Sequence, residues 1–299
     1  MKGAQLNVGF IGAGAMGRPM ALNLTKGGHK LVVYDRQDAA LAPLVAAGAR
    51  AAASPAEVVQ SSEIVFTSLP SLEAVESVFL GENGLVPNAR PGQVLVDLST
   101  ILPSLAQRIN VQARGARVEM LDAPVSGGTH GAKNATLSVM VGGEKSAFER
   151  VKRLLQLIGQ NIYYVGLSGS GSRVKLINQL LVAVHNVAAV EALALAGRCG
   201  VDIDTMRTII SASAGDSRTF QSTALRLRER DFDDGASIDI LDKDSQLVQS
   251  LAEELGAFVP MLLIARKMYQ TGKECGLGAK DMASLVQLFE RSQAVESLG

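Results

Sequence analysis

One pattern in the first 35 residues restricts most strongly what this chain can fold into. An apolar run leads into the glycine motif of residues 12–17, then a helix-permitting stretch, then a second apolar run that ends at Asp35. Gly12 permits a tight turn, Gly14 lets the backbone approach a pyrophosphate, and Gly17 lets the helix pack on the strand. The helix N-terminus adds unpaired N–H groups and the positive end of a dipole. The pattern therefore predicts a βαβ unit that binds a dinucleotide.

The composition is that of a globular protein, and its charge balance does not indicate binding to a polyanion. The chain has 299 residues, of which 47% are hydrophobic and 19% charged, enough for a large core and two domains. Lys plus Arg and Asp plus Glu number 29 each, so no basic field indicates nucleic acid or a membrane surface. Cys199 and Cys275 are too few for a disulfide framework, and no cluster has metal-ligand spacing. We expect a cytoplasmic protein without a metal site.

The first half of the chain alternates β-rich and helix-permitting segments, which predicts an α/β fold with a doubly wound parallel sheet. The predicted strands are 7–11, 31–35, 64–69, 94–98, 118–121, 137–141 and 161–165. The predicted helices between them are 15–28, 38–47, 55–60, 71–79, 103–114 and 145–157.

The second half reads as helical throughout. Residues 168–172 form a Gly/Ser loop that ends in Ser172, a plausible N-cap, and a long helix follows to about Arg198. Further helical patterns cover 202–213, 217–229, 239–256, 260–273 and 279–291. We therefore predict a dinucleotide-binding Rossmann domain over 1–166 and an all-helical domain over 167–299, which begins with the long helix and serves substrate binding and dimerisation.

The long helix is nearly apolar from Leu180 to Leu195. Asn186 and Glu191 interrupt that stretch, which fits a buried helix better than a membrane span. A helix that is apolar on all sides must be covered on all sides, and one small domain can hardly do this alone. We expect a homo-oligomer, a dimer or a tetramer, formed through the helical domain.

A lysine near the start of the long helix is the leading candidate for chemistry. Lys175 falls in the predicted first turn, with Asn178 and Gln179 at i+3 and i+4 on the same face. The dipole end disfavours a cation there, and a lysine of lowered pKa can take a proton from an alcohol or return it to a carbonyl. The alternative interpretation is a solvated surface lysine.

A glycine-rich loop follows the predicted strand 118–121, where ligands bind in such sheets. It contains Ser126, Gly127 and Gly128. Exposed backbone N–H groups and one hydroxyl suit a small carboxylate. An ordinary loop remains the alternative on these residues alone.

Together these segments resemble the β-hydroxyacid dehydrogenase family, which includes 3-hydroxyisobutyrate dehydrogenases, tartronate semialdehyde (2-hydroxy-3-oxopropionate) reductases and threonate dehydrogenases. The matching segments span nearly the whole chain. They are 9–17, Leu69-Pro70, 97–100, 122–128, 171–175 with Asn178, and Lys243-Asp244.

The resemblance implies an NAD(P)-dependent enzyme in which Lys175 is the catalytic acid/base. It implies that Ser126, Gly127 and Gly128 hold a substrate carboxylate and that Asn178 lies beside the reacting hydroxyl, with Gln179 at the pocket rim. The expected cofactor contacts are Gly12, Ala13, Gly14, Ala15, Met16, Gly17, Asp35, Arg36, Leu69, Pro70, Thr100 and Lys243. Asp35 favours NAD over NADP because a carboxylate accepts from both ribose hydroxyls and repels a 2′-phosphate, although Arg36 could bind that phosphate.

Several functions stay open within this resemblance. The family often has Asn-Asn where this chain has Asn178-Gln179, and residues 178–185 with Glu191 are most similar to the threonate branch. Polar groups near the expected rim, Gln179, His130 and the loop 215–220, favour a four-carbon sugar acid. 6-Phosphogluconate dehydrogenase does not fit the spacing after Lys175. A non-catalytic cofactor-binding scaffold and an imine reductase are the alternatives from other classes.

Overall fold

The computed structural model describes residues 5–233 and 235–290. Its described part contains one sheet of nine strands in the order β3-β2-β1-β4-β5-β6-β8-β7, with β9 paired to β8. The strands are β1 Asn7–Ile11, β2 Lys30–Tyr34, β3 Arg50–Ala51, β4 Ile64–Thr67, β5 Val94–Asp97, β6 Glu119–Asp122, β7 Val125–Ser126, β8 Leu137–Gly142 and β9 Gly159–Gly166. The pairs from β3 to β6 are all parallel. This order confirms the predicted doubly wound fold.

Helices cover both faces of this sheet, because strands paired in parallel are buried on both sides. They are α1 Gly17–Lys26, α2 Asp38–Ala46, α3 Pro55–Gln60, α4 Leu72–Leu80, α5 Leu85–Asn88, α6 Pro103–Gly115, α7 Gly128–Lys133 and α8 Lys145–Leu155. Residues of β5 alternate between the two cores. Val94 and Val96 lie in one core with Met20 of α1, and Leu95 lies in the other with Phe79 of α4.

Beyond β6 the strands of the sheet are no longer all parallel. β8 is antiparallel to both β6 and β7, and β9 is parallel to β8. The segment between β7 and β8 contains only the six-residue helix α7, which is too short for a parallel crossover. The short strands β3 and β7 and the short helices α5 and α7 were not predicted from the sequence, since their apolar runs are too short to show a period.

The chain divides into two compact units, Met1–Lys175 and Leu176–Gly299. The helices after β9 are α9 Ser170–Arg198, α10 Ile203–Ser211, α11 Arg218–Glu229, α12 Ile238–Glu254 and α13 Pro260–Glu274. Where a helix from residue 279 was predicted, a 3-10 turn, Met282–Leu285, comes first and α-helix continues over 286–290. The Asp281 carboxylate accepts the N–H of Ala283 and caps the turn, so the helical segment starts three residues later than predicted. The described residues after 166 contain no strand, only an isolated bridge between Ser237 and Asp281. The predicted domain boundary after residue 166 stays a prediction.

The predicted start of α9 is wrong by three residues. The helix begins at Ser170, so residues 170–172 belong to it rather than to a loop. The reason is a cap from outside the segment: the Asp122 carboxylate accepts the backbone N–H groups of Gly169 and Ser172. Lys175 consequently lies in the second turn of α9 instead of the first.

Helix α9 has one buried and one exposed side. By length and composition it could cross a membrane, a property that core helices also show. On the buried side Asn186 donates to the carbonyl of Met282 at 3.2 Å and accepts from Thr223 at 3.3 Å, which explains a polar residue in this apolar stretch. Three large apolar residues on the other side, Ile177, Leu181 and Leu195, are 60%, 48% and 62% exposed.

Candidate active site

The glycine motif forms a tight loop between β1 and α1, at the carboxyl end of β1. Gly12 has a φ of +95°, and a Cβ atom there would lie 2.2 Å from the carbonyl oxygen of Ser68. A Cβ atom on Gly17 would lie 1.8 Å from the carbonyl oxygen of Gly12. A Cβ atom on Gly14 would meet nothing within 4 Å. Two glycines are therefore required by the fold itself, whereas Gly14 leaves open space in front of the loop.

The neighbouring residues leave the start of α1 available to an anion. Ala13 is buried, Ala15 is exposed and Met16 is half-buried. Met16 occupies the N-cap position and forms no side-chain cap. N–H groups at such an uncapped helix start suit a phosphate.

Asp35 ties the end of β2 to the glycine loop. Its Oδ2 accepts the N–H of Ala13 at 2.7 Å, and its Oδ1 accepts the N–H of Gln37 at 2.9 Å. Each carboxylate oxygen can accept a second hydrogen bond, so capacity for two ribose hydroxyls remains. Arg36 is exposed beside it.

The loops after β4 and β5 are joined by a buried carboxylate that sequence reasoning did not assign. Asp97, the last residue of β5, accepts the hydroxyls of Thr67 at 2.7 Å and Ser99 at 2.6 Å on its Oδ1. The Ser99 hydroxyl in turn accepts the N–H of Leu69 at 2.9 Å. The network thus places Leu69, exposed Pro70 and half-buried Thr100 on adjacent loops at one edge of the sheet.

Burial dominates the electrostatics of Asp97. It raises the pKa of this carboxyl to about 6, against the lowering effect of its Ser99 and Thr67 hydrogen bonds, and the nearby Asp122 adds to the rise. A carboxyl that binds its proton more tightly in the folded state than in the unfolded state makes folding less favourable as pH rises through that range.

We expect the free energy of unfolding of the wild type to fall relative to that of Asp97→Asn as pH rises. The window runs from about 3.8, the ordinary pKa of the carboxyl, to about 6. Between pH 5 and 7.5 the difference should change by about 1 kcal/mol, and over the whole window by roughly 3 kcal/mol. Urea unfolding at both pH values measures it. A difference independent of pH would show that the Asp97 carboxyl is not perturbed.

The Ser126-Gly127-Gly128 loop lies at the same end of the first unit. Ser126 ends β7 and is half-buried, and both glycines are exposed. Gly127 and Gly128 have φ angles of +131° and +62°, so two successive residues have backbone conformations that glycine favours. The loop presents backbone and one hydroxyl, as a carboxylate site requires.

Lys175 is buried, with 7% of its surface exposed. Lysine is rarely buried, since the charged amine prefers water. The interpretation of Lys175 as a solvated surface residue is therefore wrong for this structure.

The polar residues on the next turn of α9 are joined within the second unit. Asn178 donates to Oε1 of Gln179 at 3.0 Å, and Gln179 donates to Oδ2 of Asp244 at 2.6 Å. Lys243 pairs with Oδ1 of Asp244 at 3.0 Å. Asp244 is buried, and its hydrogen bond with Gln179, 65 residues away in sequence, becomes visible only in the structure.

The structure places the other residues expected at the substrate rim on α7 and at the start of α11. Residues 215–217, just before α11, and Phe220 in its first turn line a cavity of about 390 Å³ with His185 and Ala192. His185 is ten residues beyond Lys175, about 15 Å along the helix axis. His130 is exposed on α7 and its carbonyl accepts from Asn134. Their part in the substrate rim stays a prediction. The described ranges contain no group of three His, Cys, Asp or Glu side chains able to hold a metal ion.

Two family models match the chain in succession. The model described as the NAD binding domain of 6-phosphogluconate dehydrogenase matches residues 7–166. The model described as the NAD-binding of NADP-dependent 3-hydroxyisobutyrate dehydrogenase matches residues 169–289. The fold and the site thus define a nicotinamide-dependent oxidoreductase that acts on CH–OH groups.

Similar proteins give the same assignment over nearly the full length. 2-(Hydroxymethyl)glutarate dehydrogenase of Eubacterium barkeri is 37% identical and covers 98% of both chains. 2-Hydroxy-3-oxopropionate reductase of Escherichia coli is 36% identical, over 95% of this chain and 97% of its own. The crystal structure of 3-hydroxyisobutyrate dehydrogenase from Salmonella typhimurium, 32% identical, matches with a TM-score of 0.85 over 95% of this chain and 100% of its own. The chain belongs to the β-hydroxyacid dehydrogenase family.

Proposed function

We propose that this enzyme moves a hydride between the hydroxyl-bearing β-carbon of a small 3-hydroxy acid and a nicotinamide ring, with Lys175 moving the proton. The observation that carries the proposal is a buried lysine on α9, the helix whose start is hydrogen-bonded to the end of β6. Oxidation of the alcohol releases one hydride and one proton. Lys175 takes up the proton, and a bound nicotinamide cofactor would supply the hydride acceptor.

The Ser126-Gly127-Gly128 loop is proposed to bind the substrate carboxylate through its N–H groups and hydroxyl. Asn178, one helical turn beyond Lys175, is proposed to bind the reacting hydroxyl. Gln179 then defines the rim, where its bond to Asp244 holds the amide in one orientation. Leu69, Pro70, Thr100 and Lys243 are proposed to line the nicotinamide end of the cofactor.

A four-carbon sugar acid of the threonate kind is our leading substrate. The polar cluster of Gln179, Asp244 and Lys243 supports it, because hydroxylated tails satisfy such groups better than a bare methyl does. 3-Hydroxyisobutyrate and the glycerate/2-hydroxy-3-oxopropionate pair are the alternatives. The names of the similar proteins support the class of small 3-hydroxy acids, because each describes a 3-hydroxy acid, a 3-oxo acid or a hydroxymethyl acid.

A panel of hydroxy acids tests the proposal. Initial rates with threonate, erythronate, glycerate and 3-hydroxyisobutyrate, with each nicotinamide cofactor, give kcat/KM for every pair. We expect the sugar acids to be preferred. A clear preference for 3-hydroxyisobutyrate would show that the rim has been misread, and no turnover with any of them would favour the non-catalytic scaffold.

We expect NAD to be preferred over NADP. The Asp35 carboxylate is fixed by the N–H groups of Ala13 and Gln37, so it cannot easily turn away from a 2′-phosphate. The measurement is kcat/KM for both cofactors, with Arg36→Ala as the matched variant, because Arg36 is the exposed cation that would bind the phosphate. A tenfold preference for NADP that Arg36→Ala abolishes would reverse the assignment.

We propose that the protein is a homo-oligomer through its helical unit, and a cytoplasmic location stays a prediction. Ile177 and Leu181 on α9, with Met261 and Ile264 on α13, are about half exposed or more. Large contiguous apolar patches are uncommon on monomers, so we propose that a second subunit covers these side chains.

Light scattering at micromolar concentration should therefore give at least twice the 31.4 kDa of one chain. Ile264→Glu should lower the mass, because it introduces a charge into that surface. Val111→Glu on α6, where the side chain is 70% exposed on the first unit, should not. A single-chain mass for the wild type would contradict the proposal.

A further inference from the structure

The first turn of α9 is held by a carboxylate from a distant strand. Asp122, the last residue of β6, is 1% exposed. Its Oδ1 accepts the N–H of Gly169 and its Oδ2 accepts the N–H of Ser172, both at 2.8 Å. A carboxylate in this place satisfies donors that a helix leaves unpaired and has the charge that the dipole favours. Asp122 therefore anchors the start of the helix that contains Lys175.

The backbone is closely packed around this anchor. A Cβ atom on Gly171 would lie 2.3 Å from the carbonyl oxygen of Met140 and 2.4 Å from that of Asp122. A Cβ atom on Gly142 would lie 2.6 Å from Oδ1 of Asp122 and 2.8 Å from the nitrogen of Gly171. Strands β6 and β8 and the first turn of α9 thus meet at backbone contact.

Asp122 is also joined to the two other parts of the candidate site in the first unit. Ser126, in the proposed carboxylate loop, follows it by four residues. Asp97, which holds the Leu69 loop through Ser99, is its register partner on β5. On the helix side of the anchor, Lys175 lies three residues after Ser172, about 4.5 Å further along the axis of α9. One side chain therefore links the strand that leads to the loop with the helix that contains the lysine.

We propose that Asp122 is a positioning residue that sets the place of Lys175 relative to the Ser126-Gly127-Gly128 loop. The inference rests on the proposed function of Lys175. Displacement of a reacting group by about 1 Å can lower a rate on the order of 100-fold. Burial raises the pKa of Asp122, while the N–H groups of Ser172 and Gly169 oppose that rise by favouring the carboxylate.

The variant that tests this is Asp122→Asn. It keeps the size of the side chain but replaces one accepting oxygen by a donating amide, so one of the two backbone N–H groups faces another donor. We expect kcat to fall about 10- to 100-fold while the Kd of the dinucleotide stays within about twofold. Amide hydrogen exchange over residues 169–175 should accelerate on the order of tenfold.

Asp281→Asn is the matched control. Asp281 is also buried and also accepts two backbone N–H groups, from Ala283 at 2.9 Å and Ala236 at 3.1 Å. It caps the 3-10 turn and has no assigned part in the reaction. A general loss of stability would appear in both variants, whereas a positioning role predicts the fall in kcat and the faster exchange at 169–175 only for Asp122→Asn.

The outcomes separate the two proposals. If the wild type oxidises no hydroxy acid, the proposed function fails, and hydrogen exchange alone then decides whether Asp122 anchors α9. Unchanged exchange over 169–175 in Asp122→Asn would overturn the inference. An equal fall in kcat in Asp122→Asn and Asp281→Asn would overturn it as well.

Discussion

Lys175→Ala should lower kcat at least about 100-fold, the usual contribution of a positioned acid/base. The dinucleotide Kd should stay nearly unchanged, because the residues proposed to contact the cofactor do not include Lys175. The buried position of Lys175 makes this loss specific, since no solvated side chain can replace the amine at the same place. Steady-state rates and a cofactor titration measure the two quantities separately.

Arg173→Ala is the matched control for this variant. Arg173 lies two residues earlier on α9 and is exposed, so its removal takes away a cation from the same helix turn without touching the buried position. Its turnover should remain within about twofold of the wild type, as is usual for surface substitutions. Near-normal turnover in Lys175→Ala would contradict the assignment of the proton-transfer group.

Gly14→Ala should weaken dinucleotide binding at least about tenfold without destabilising the protein. No atom lies within 4 Å of a Cβ placed on Gly14, so the folded chain accommodates the methyl group. The same methyl group would occupy the space through which the backbone approaches a pyrophosphate. Isothermal titration with the cofactor and a thermal melt measure the two effects.

Gly17→Ala provides the contrast, because its Cβ would lie 1.8 Å from the carbonyl oxygen of Gly12. That contact forces the loop or α1 to move, so Tm should fall by several degrees together with the loss of binding. If Gly14→Ala binds the dinucleotide as the wild type does, the cofactor does not lie against this loop.

Local sequence patterns were sufficient for most of the scaffold. The periodicity of apolar residues predicted the parallel part of the sheet and the helical second half. It could do so because each apolar run is buried within its own strand or helix. The glycine motif and Asp35 could also be paired from sequence, since a strand, a turn and a helix of fixed length bring the acid to Ala13. In these places a residue's neighbours in sequence are largely its neighbours in space.

What the sequence by itself determined was the doubly wound fold and the glycine loop, and it singled out Lys175 as the candidate for proton transfer. Only the tertiary structure decided where α9 starts, how Asp97 joins Leu69 through Ser99, and which acid holds Gln179. The cap on α9 comes from Asp122, 47 residues before Gly169 and 50 before Ser172. Local propensity favoured a serine cap within the loop, and a buried carboxylate that can accept two N–H groups at once displaced it.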